Sequence, residues 1–290
     1  MAPNPSSGAV QKLRLRYTKR GRLRFTSHRD VARAFERALR RAGVPMAYSQ
    51  GFSPHPKISW VGAAPTGVAS EAEYVEVQVV SRVDPQALRV ALDQALPPGL
   101  DVVEAVQAES GSLSERIDAS RWLVELPGVS AQTLRPAVAA LLAAESVEVE
   151  RLTKDGKRIM DVRPGVVTAE VLDAPPGVTS LTGGTLSTQV GTSGDSTGPS
   201  EHRKDESAAA SGQCGILMMV VRQLTPAVRP DDVLSALRVV AALDPPVPAK
   251  ATRMEQGRLD DEGRLIDPFT LDREARSSGA REGGLAGEPG

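Results

Sequence analysis

Lys12-Leu13-Arg14-Leu15-Arg16-Tyr17-Thr18, followed by Ser27-His28-Arg29-Asp30-Val31-Ala32-Arg33-Ala34-Phe35-Glu36-Arg37-Ala38-Leu39-Arg40-Arg41-Ala42-Gly43, is the stretch that decides the fold. In the first run apolar residues alternate with basic or hydroxyl residues, the period of a half-buried strand. Lys19-Arg20-Gly21-Arg22 then turns into Leu23-Arg24-Phe25, read as a strand or hairpin with one basic face. In the second run Ser27 with Asp30 three residues on is a capping box, and Gly43 is a C-terminal stop, so a helix is predicted to about Ala42. At 100° per residue, Val31, Ala34, Phe35, Ala38, Leu39 and Ala42 fall on one side. Arg29, Arg33, Arg37, Arg40 and Arg41 fall on the other, as a stripe of arginines facing away from the core.

Outward from this pair, Val44 to Ser49 is predicted as a short strand, and Gln50 to Lys57 as a loop rich in turn formers that feeds a strand over Ile58 to Val61. Tyr74 to Val79 alternates as another strand, Asp84 and Pro85 open a helix through Ala95, and Leu100 to Val106 closes with a strand. This order is the split βαβ pattern of a ferredoxin-like sandwich. A second copy follows: a strand at Trp122 to Leu126, a helix at Ala131 to Ala144 and a hairpin from Val147 to Val162. Strands at Val166 to Leu172 and Gly215 to Arg222 and a helix at Asp231 to Leu243 complete it. The fold class expected is therefore α+β, with tandem ferredoxin-like sandwiches over residues 12–110 and 120–245. Residues 175–213 hold 23 Gly, Ser, Thr or Pro among 39, and are read as a disordered insertion in the second half. Residues 1–11 read as a disordered arm, and residues 246–290 as a C-terminal segment that is mobile from about 270.

The chain has 290 residues and a formal net charge of −1. Between Lys12 and Lys57, however, 13 Lys and Arg stand against only Asp30 and Glu36, a local +11. A neutral total that hides a basic block is the electrostatic footprint of a phosphate-bearing partner. No apolar run approaches the roughly 20 residues of a membrane span, and the N-terminus lacks a signal-peptide core, which places the expected location in the cytoplasm without membrane attachment. Cys214 is the only cysteine and the histidines are His28, His55 and His202. No metal site and no bound cofactor are therefore expected.

The most chemically unusual loop is Tyr48-Ser49-Gln50-Gly51-Phe52-Ser53-Pro54-His55-Pro56-Lys57. Two prolines brace a histidine, and Gly51 lets backbone come close to a ligand. Gln50 and His55 suit hydrogen bonds to a base or sugar edge, Phe52 suits stacking on a base, and Lys57 suits a phosphate. The bland alternative puts Phe52 in the core where the loop crosses a sheet end. Seven of the nine aromatic residues lie before residue 75, interleaved with arginines, which resembles a sheet that stacks bases and holds backbone. The expected RNA-binding set is Arg14, Arg16, Arg29, Arg33, Arg37, Arg40, Arg41, Gln50, Gly51, Phe52, His55 and Lys57. A second reading makes the chain an RNA-cleaving or RNA-modifying enzyme with His28 or His55 as general acid or base; Asp30 beside His28 already has a role as a helix cap. Phosphate-binding, dinucleotide, hydrolase-elbow and zinc-protease motifs are absent from the sequence.

The runs Arg14 to Phe25, Ser27-His28-Arg29-Asp30, Gln50-Gly51-Phe52-Ser53-Pro54-His55-Pro56-Lys57-Ile58 and Gly67-Val68, with Ser70-Glu71 and Glu73-Tyr74, carry a family likeness. The chain resembles the uncharacterised domain attached to cobalamin-type radical-SAM proteins, found fused behind the radical-SAM module or as a separate radical-SAM-associated protein. It is similar to the separate form. The resemblance covers most of residues 12–245 and implies an accessory or substrate-presenting role, with the catalytic module on another polypeptide. A radical-SAM cluster needs three cysteines, so this chain does not hold one. A protein-interaction adaptor for such an enzyme is thus a third reading, beside RNA binding and RNA catalysis.

Overall fold

The computed structural model describes residues 8–109, 111–153, 156–176 and 213–282. Most of the 175–213 insertion and residues 1–7 lie outside the described residues. The described residues form a mixed α+β structure with a large, mostly antiparallel sheet and five helices. The first half runs β1 (Gln11–Lys19), α1 (His28–Arg41), β2 (Ile58–Val61), β3 (Ala69–Val79), α2 (Pro85–Ala95) and β4 (Val102–Gln107). The second runs β5 (Ala119–Pro127), α3 (Ala131–Ala143), the hairpin β6 (Glu148–Thr153) and β7 (Gly156–Asp161), β8 (Val166–Leu172), β9 (Cys214–Arg222), α4 (Pro230–Ala241) and β10 (Lys250–Leu259). A two-residue strand, β11 (Leu265–Ile266), and helix α5 (Thr270–Glu282) follow.

Strand neighbours run β4-β1-β3 and then β10-β5-β9-β8, with β2 beside β3. Each half therefore orders its four strands fourth, first, third, second, with antiparallel neighbours throughout. The halves do not form separate sandwiches. A short parallel pairing of Thr252 and Arg253 with Ala69 and Ser70 joins them into one sheet. Leu13, Leu15 and Tyr17 of β1 pack with Val31, Phe35 and Leu39 of α1 and Leu88 and Leu92 of α2. A second core gathers Trp122, Val124 and Leu126 of β5 with Leu134, Val138 and Leu141 of α3 and Val233 and Leu237 of α4.

Four expectations need correction. Residues 246–290, expected as a C-terminal segment after the second unit, contain β10, a central strand that carries the junction. The stretch from Thr270, expected to be mobile, starts a helix whose Asp272 is 2% exposed, since Arg14 and Arg116 ion-pair with it inside the protein. Residues 44–49 make only the isolated bridges Met46 to Val79 and Tyr48 to Pro56, and Gly21–Phe25 is a 3-10 turn in place of a strand.

Candidate nucleic-acid interface

Helix α1 is built as its sequence dictates. The Ser27 side chain accepts the Asp30 amide at the N-terminus, satisfying one donor that the helix leaves open. At the other end the Val44 amide reaches Leu39 O at 3.0 Å and the Gly43 amide reaches Arg40 O at 3.2 Å. This is a Schellman motif, and Gly43 supplies its left-handed residue at φ 64°. Between these caps Val31, Phe35, Ala38 and Leu39 are buried while all five arginines are exposed. Arg33 lies 3.9 Å from Asp30, and Arg41 donates to Ala95 O at 3.1 Å. Arg29, Arg37 and Arg40 make no ion pair among the described residues.

The loop after α1 is pinned at its base and exposed at its tip. The Ser49 amide donates to His55 O at 2.8 Å, the His55 amide to Ser49 Oγ at 3.0 Å, and the Lys57 amide to Ala47 O at 2.8 Å. Residues 50–55 beyond this clasp are exposed, and Gly51 takes φ 127°, a conformation that side-chain-bearing residues rarely adopt. Phe52 has a relative exposure of 110%, so the alternative that buried it in the core is overturned. A cleft of about 400 Å³ separates the loop from α1, lined by Glu36, Leu39 and Arg40 on the helix and Tyr48, Pro54, His55 and Pro56 on the loop. The structure thus brings His55 and Arg40 to one cleft, on the loop that carries the exposed Phe52.

The strand arginines stand elsewhere. Arg14 is fully buried, bonded to Asp272 through both carboxylate oxygens at 2.8 Å, to Glu76 at 2.8 Å and to Gly111 O at 2.6 Å. Burial on its own lowers its pKa, but the bonds to Asp272 and Glu76 outweigh that and raise it above the ordinary guanidinium value. Arg14 is therefore a structural ion and not a ligand contact. Arg16 is partly buried between Glu104 at 3.3 Å and Asp267 at 3.5 Å, so its charge is also spent internally. The basic face expected on β1 is covered by the C-terminal segment, where Phe269 packs on Tyr74. Phe25, one of the aromatics that the sequence interleaves with arginines, is 59% exposed with the Arg24 guanidinium 4.6 Å above its ring.

His28 is exposed at the start of α1 and meets Trp60 edge-on at 5.3 Å. His55 lines the cleft with Arg40, which is twelve residues along α1 from His28, a rise of roughly 18 Å at 1.5 Å per residue. The Asp30 carboxylate accepts the Ser27 hydroxyl at 2.7 Å. Among the described residues no three His, Cys, Asp or Glu side chains group as a metal site would need, and no helix is long and apolar enough to cross a membrane.

Residues 12–230 match a family described as an uncharacterised protein conserved in bacteria, DUF2344. The chain belongs to that family. The matched span holds α1, the Phe52 loop and the second half as far as the start of α4, so both halves of the sheet are part of this DUF2344 chain. No curated protein matches it.

Proposed function

We propose that this DUF2344 protein binds RNA, seating phosphates on the outward arginines of α1 and an unpaired base on Phe52. The observation that carries the reading is a fully exposed phenylalanine on a clasped loop, beside a helix whose Arg29, Arg37 and Arg40 make no ion pair among the described residues. A solvated arginine face costs nothing structurally, but an aromatic ring held entirely in water gains nothing from folding and suits a stacking platform. Arg29, Arg33, Arg37, Arg40, Arg41 and Lys57 supply sequence-independent charge. Gln50, Gly51 and His55 border the stacking position and suit contacts to a base or sugar edge. The scaffold reading that goes with this is a ferredoxin-like unit present twice and fused edge to edge, supported by the strand order repeated in the two halves.

The test is fluorescence anisotropy with tRNA and a single-stranded oligoribonucleotide at two salt concentrations, comparing wild type with an Arg33→Glu/Arg37→Glu variant. Binding that weakens with salt, and that the variant reduces, supports the reading through counterion release. Absence of binding at low salt overturns it. A second reading, an adaptor for a radical-SAM enzyme on a separate chain, rests on the Gln50–Lys57 motif and its neighbours. It predicts a partner that co-purifies with the protein and survives ribonuclease treatment.

A further inference from the structure

We infer that the cavity at the seam between the two halves of the sheet is a binding site for a phosphomonoester. The cavity has a volume of about 300 Å³ and is bounded by the segment after β2, by β5, by the end of β9 and by the turn into α4. That volume is at the lower end of the range for small-molecule sites. Three arginines line it, Arg222, Arg229 and Arg253, and no aspartate or glutamate does.

Arg253 forms a fixed floor. Its side chain is 5% exposed, ion-paired with Glu73, bonded to Gln256 Oε1 at 3.0 Å and laid over the Trp122 ring at 5.4 Å. Glu73 balances its charge, so the surplus comes from Arg222 and Arg229, which are exposed and make no ion pair among the described residues. Ser120 also lines the cavity and adds a hydroxyl to it. The wall is also fitted closely: Gly62 lies at φ 55°, and a Cβ there would stand 2.9 Å from Gln256 Oε1.

The donor count selects the ligand. Guanidinium groups, a hydroxyl and the Gln223 amide offer more N–H and O–H groups than a carboxylate's two oxygens accept. A phosphomonoester brings three terminal oxygens and a charge of about −1.5 to −2. Val221, Leu224 and Val228 line the rest, giving the ester's organic body an apolar wall. The N-terminus of α4 adds little, because Pro230 has no N–H and the Asp232 carboxylate is held by Arg151 and the Arg229 amide.

The phosphomonoester can come from a free mononucleotide or from the 5′ end of an RNA, and one experiment separates them. Calorimetric titration of the full chain uses AMP, adenosine, and one oligoribonucleotide with either a 5′-phosphate or a 5′-hydroxyl. Wild type is compared with Arg222→Gln/Arg229→Gln and with Arg33→Glu/Arg37→Glu. The expected result is that AMP binds saturably and adenosine roughly tenfold or more weaker. The Arg222→Gln/Arg229→Gln change, made at exposed positions, weakens AMP to a similar degree, while the α1 variant leaves AMP binding unchanged. A 5′-phosphate that strengthens oligonucleotide binding, in a way the seam variant abolishes, identifies the RNA end as the source. Absence of saturable AMP binding together with equal affinity for the two oligonucleotides overturns the site, as does AMP binding undiminished in the seam variant. The 5′-hydroxyl oligonucleotide reports on the α1 face separately, so either reading can fail alone.

Discussion

Arg14 and Arg37 carry the same guanidinium and do opposite work because of what surrounds them. Arg14→Met leaves buried Asp272 with Arg116 alone and takes from Glu76 its partner at 2.8 Å, which is expected to cost about 3–5 kcal/mol in urea unfolding. Arg37→Met, at an exposed position, leaves the unfolding midpoint where it was but lowers RNA affinity. Phe52→Ala is the corresponding test of the loop: its ring touches no core, so the melting temperature stays unchanged, while single-stranded RNA binds about tenfold more weakly in a titration. The sequence distinguished the arginines of α1 from its core residues because a helix's period is visible in one segment. It did not distinguish Arg14 from them, because the carboxylate that buries Arg14 is Asp272, 258 residues away in sequence.

At the scale of elements, the helix caps and periods were legible locally and formed. Helix α1 ends at Gly43 in a left-handed conformation, so Gly43→Ala is expected to lower stability by about 1 kcal/mol, measured by thermal melting. The β6–β7 hairpin was legible from its alternation, and its anchoring has a pH signature. Burial pushes the Asp161 carboxyl up, but the amides of Val147 and Arg163, with the Ser146 hydroxyl, outweigh this and hold it below its ordinary value of 3.8. A depressed carboxyl contributes stability that is complete above its ordinary value and lost as pH falls through the folded value. Asp161→Asn should therefore narrow its stability deficit relative to wild type as pH drops below 3.8; a deficit constant with pH would contradict this. Strand β10 was not legible, for a physical reason: Arg253 and Gln256 are buried polar residues and Gly257 packs directly on the Ile266 backbone, so no apolar alternation marks it. The turn at Gly21–Phe25 was misread as extended because Leu23-Arg24-Phe25 alternates over too few residues to separate a strand from a 3-10 turn.

For the whole molecule, the decisive feature is that β10 returns from the end of the second half to pair with both β5 and β3. Local sequence shows two similar halves but not that they share one sheet, since strand pairing across the junction depends on residues some 180 positions apart, such as Arg253 and Glu73. The two tryptophans lie one in each half, Trp60 on β2 and Trp122 on β5. Fluorescence unfolding of Trp60→Phe and Trp122→Phe variants should give coincident transitions once each is corrected for its own stability, as one cooperative sheet requires; two separated transitions within either variant by independent probes would show that the halves unfold alone. The same continuous sheet leaves α1 and the Phe52 loop together on one exposed part of the surface, and that is the claim to test most directly. Ultraviolet cross-linking of the protein to single-stranded RNA, followed by mass-spectrometric mapping of the modified peptides, is that measurement. The account predicts adducts at Phe52 and on peptides from residues 48–57, lost when Arg33→Glu/Arg37→Glu is introduced; adducts confined to β8, α3 or the β6–β7 hairpin would contradict it.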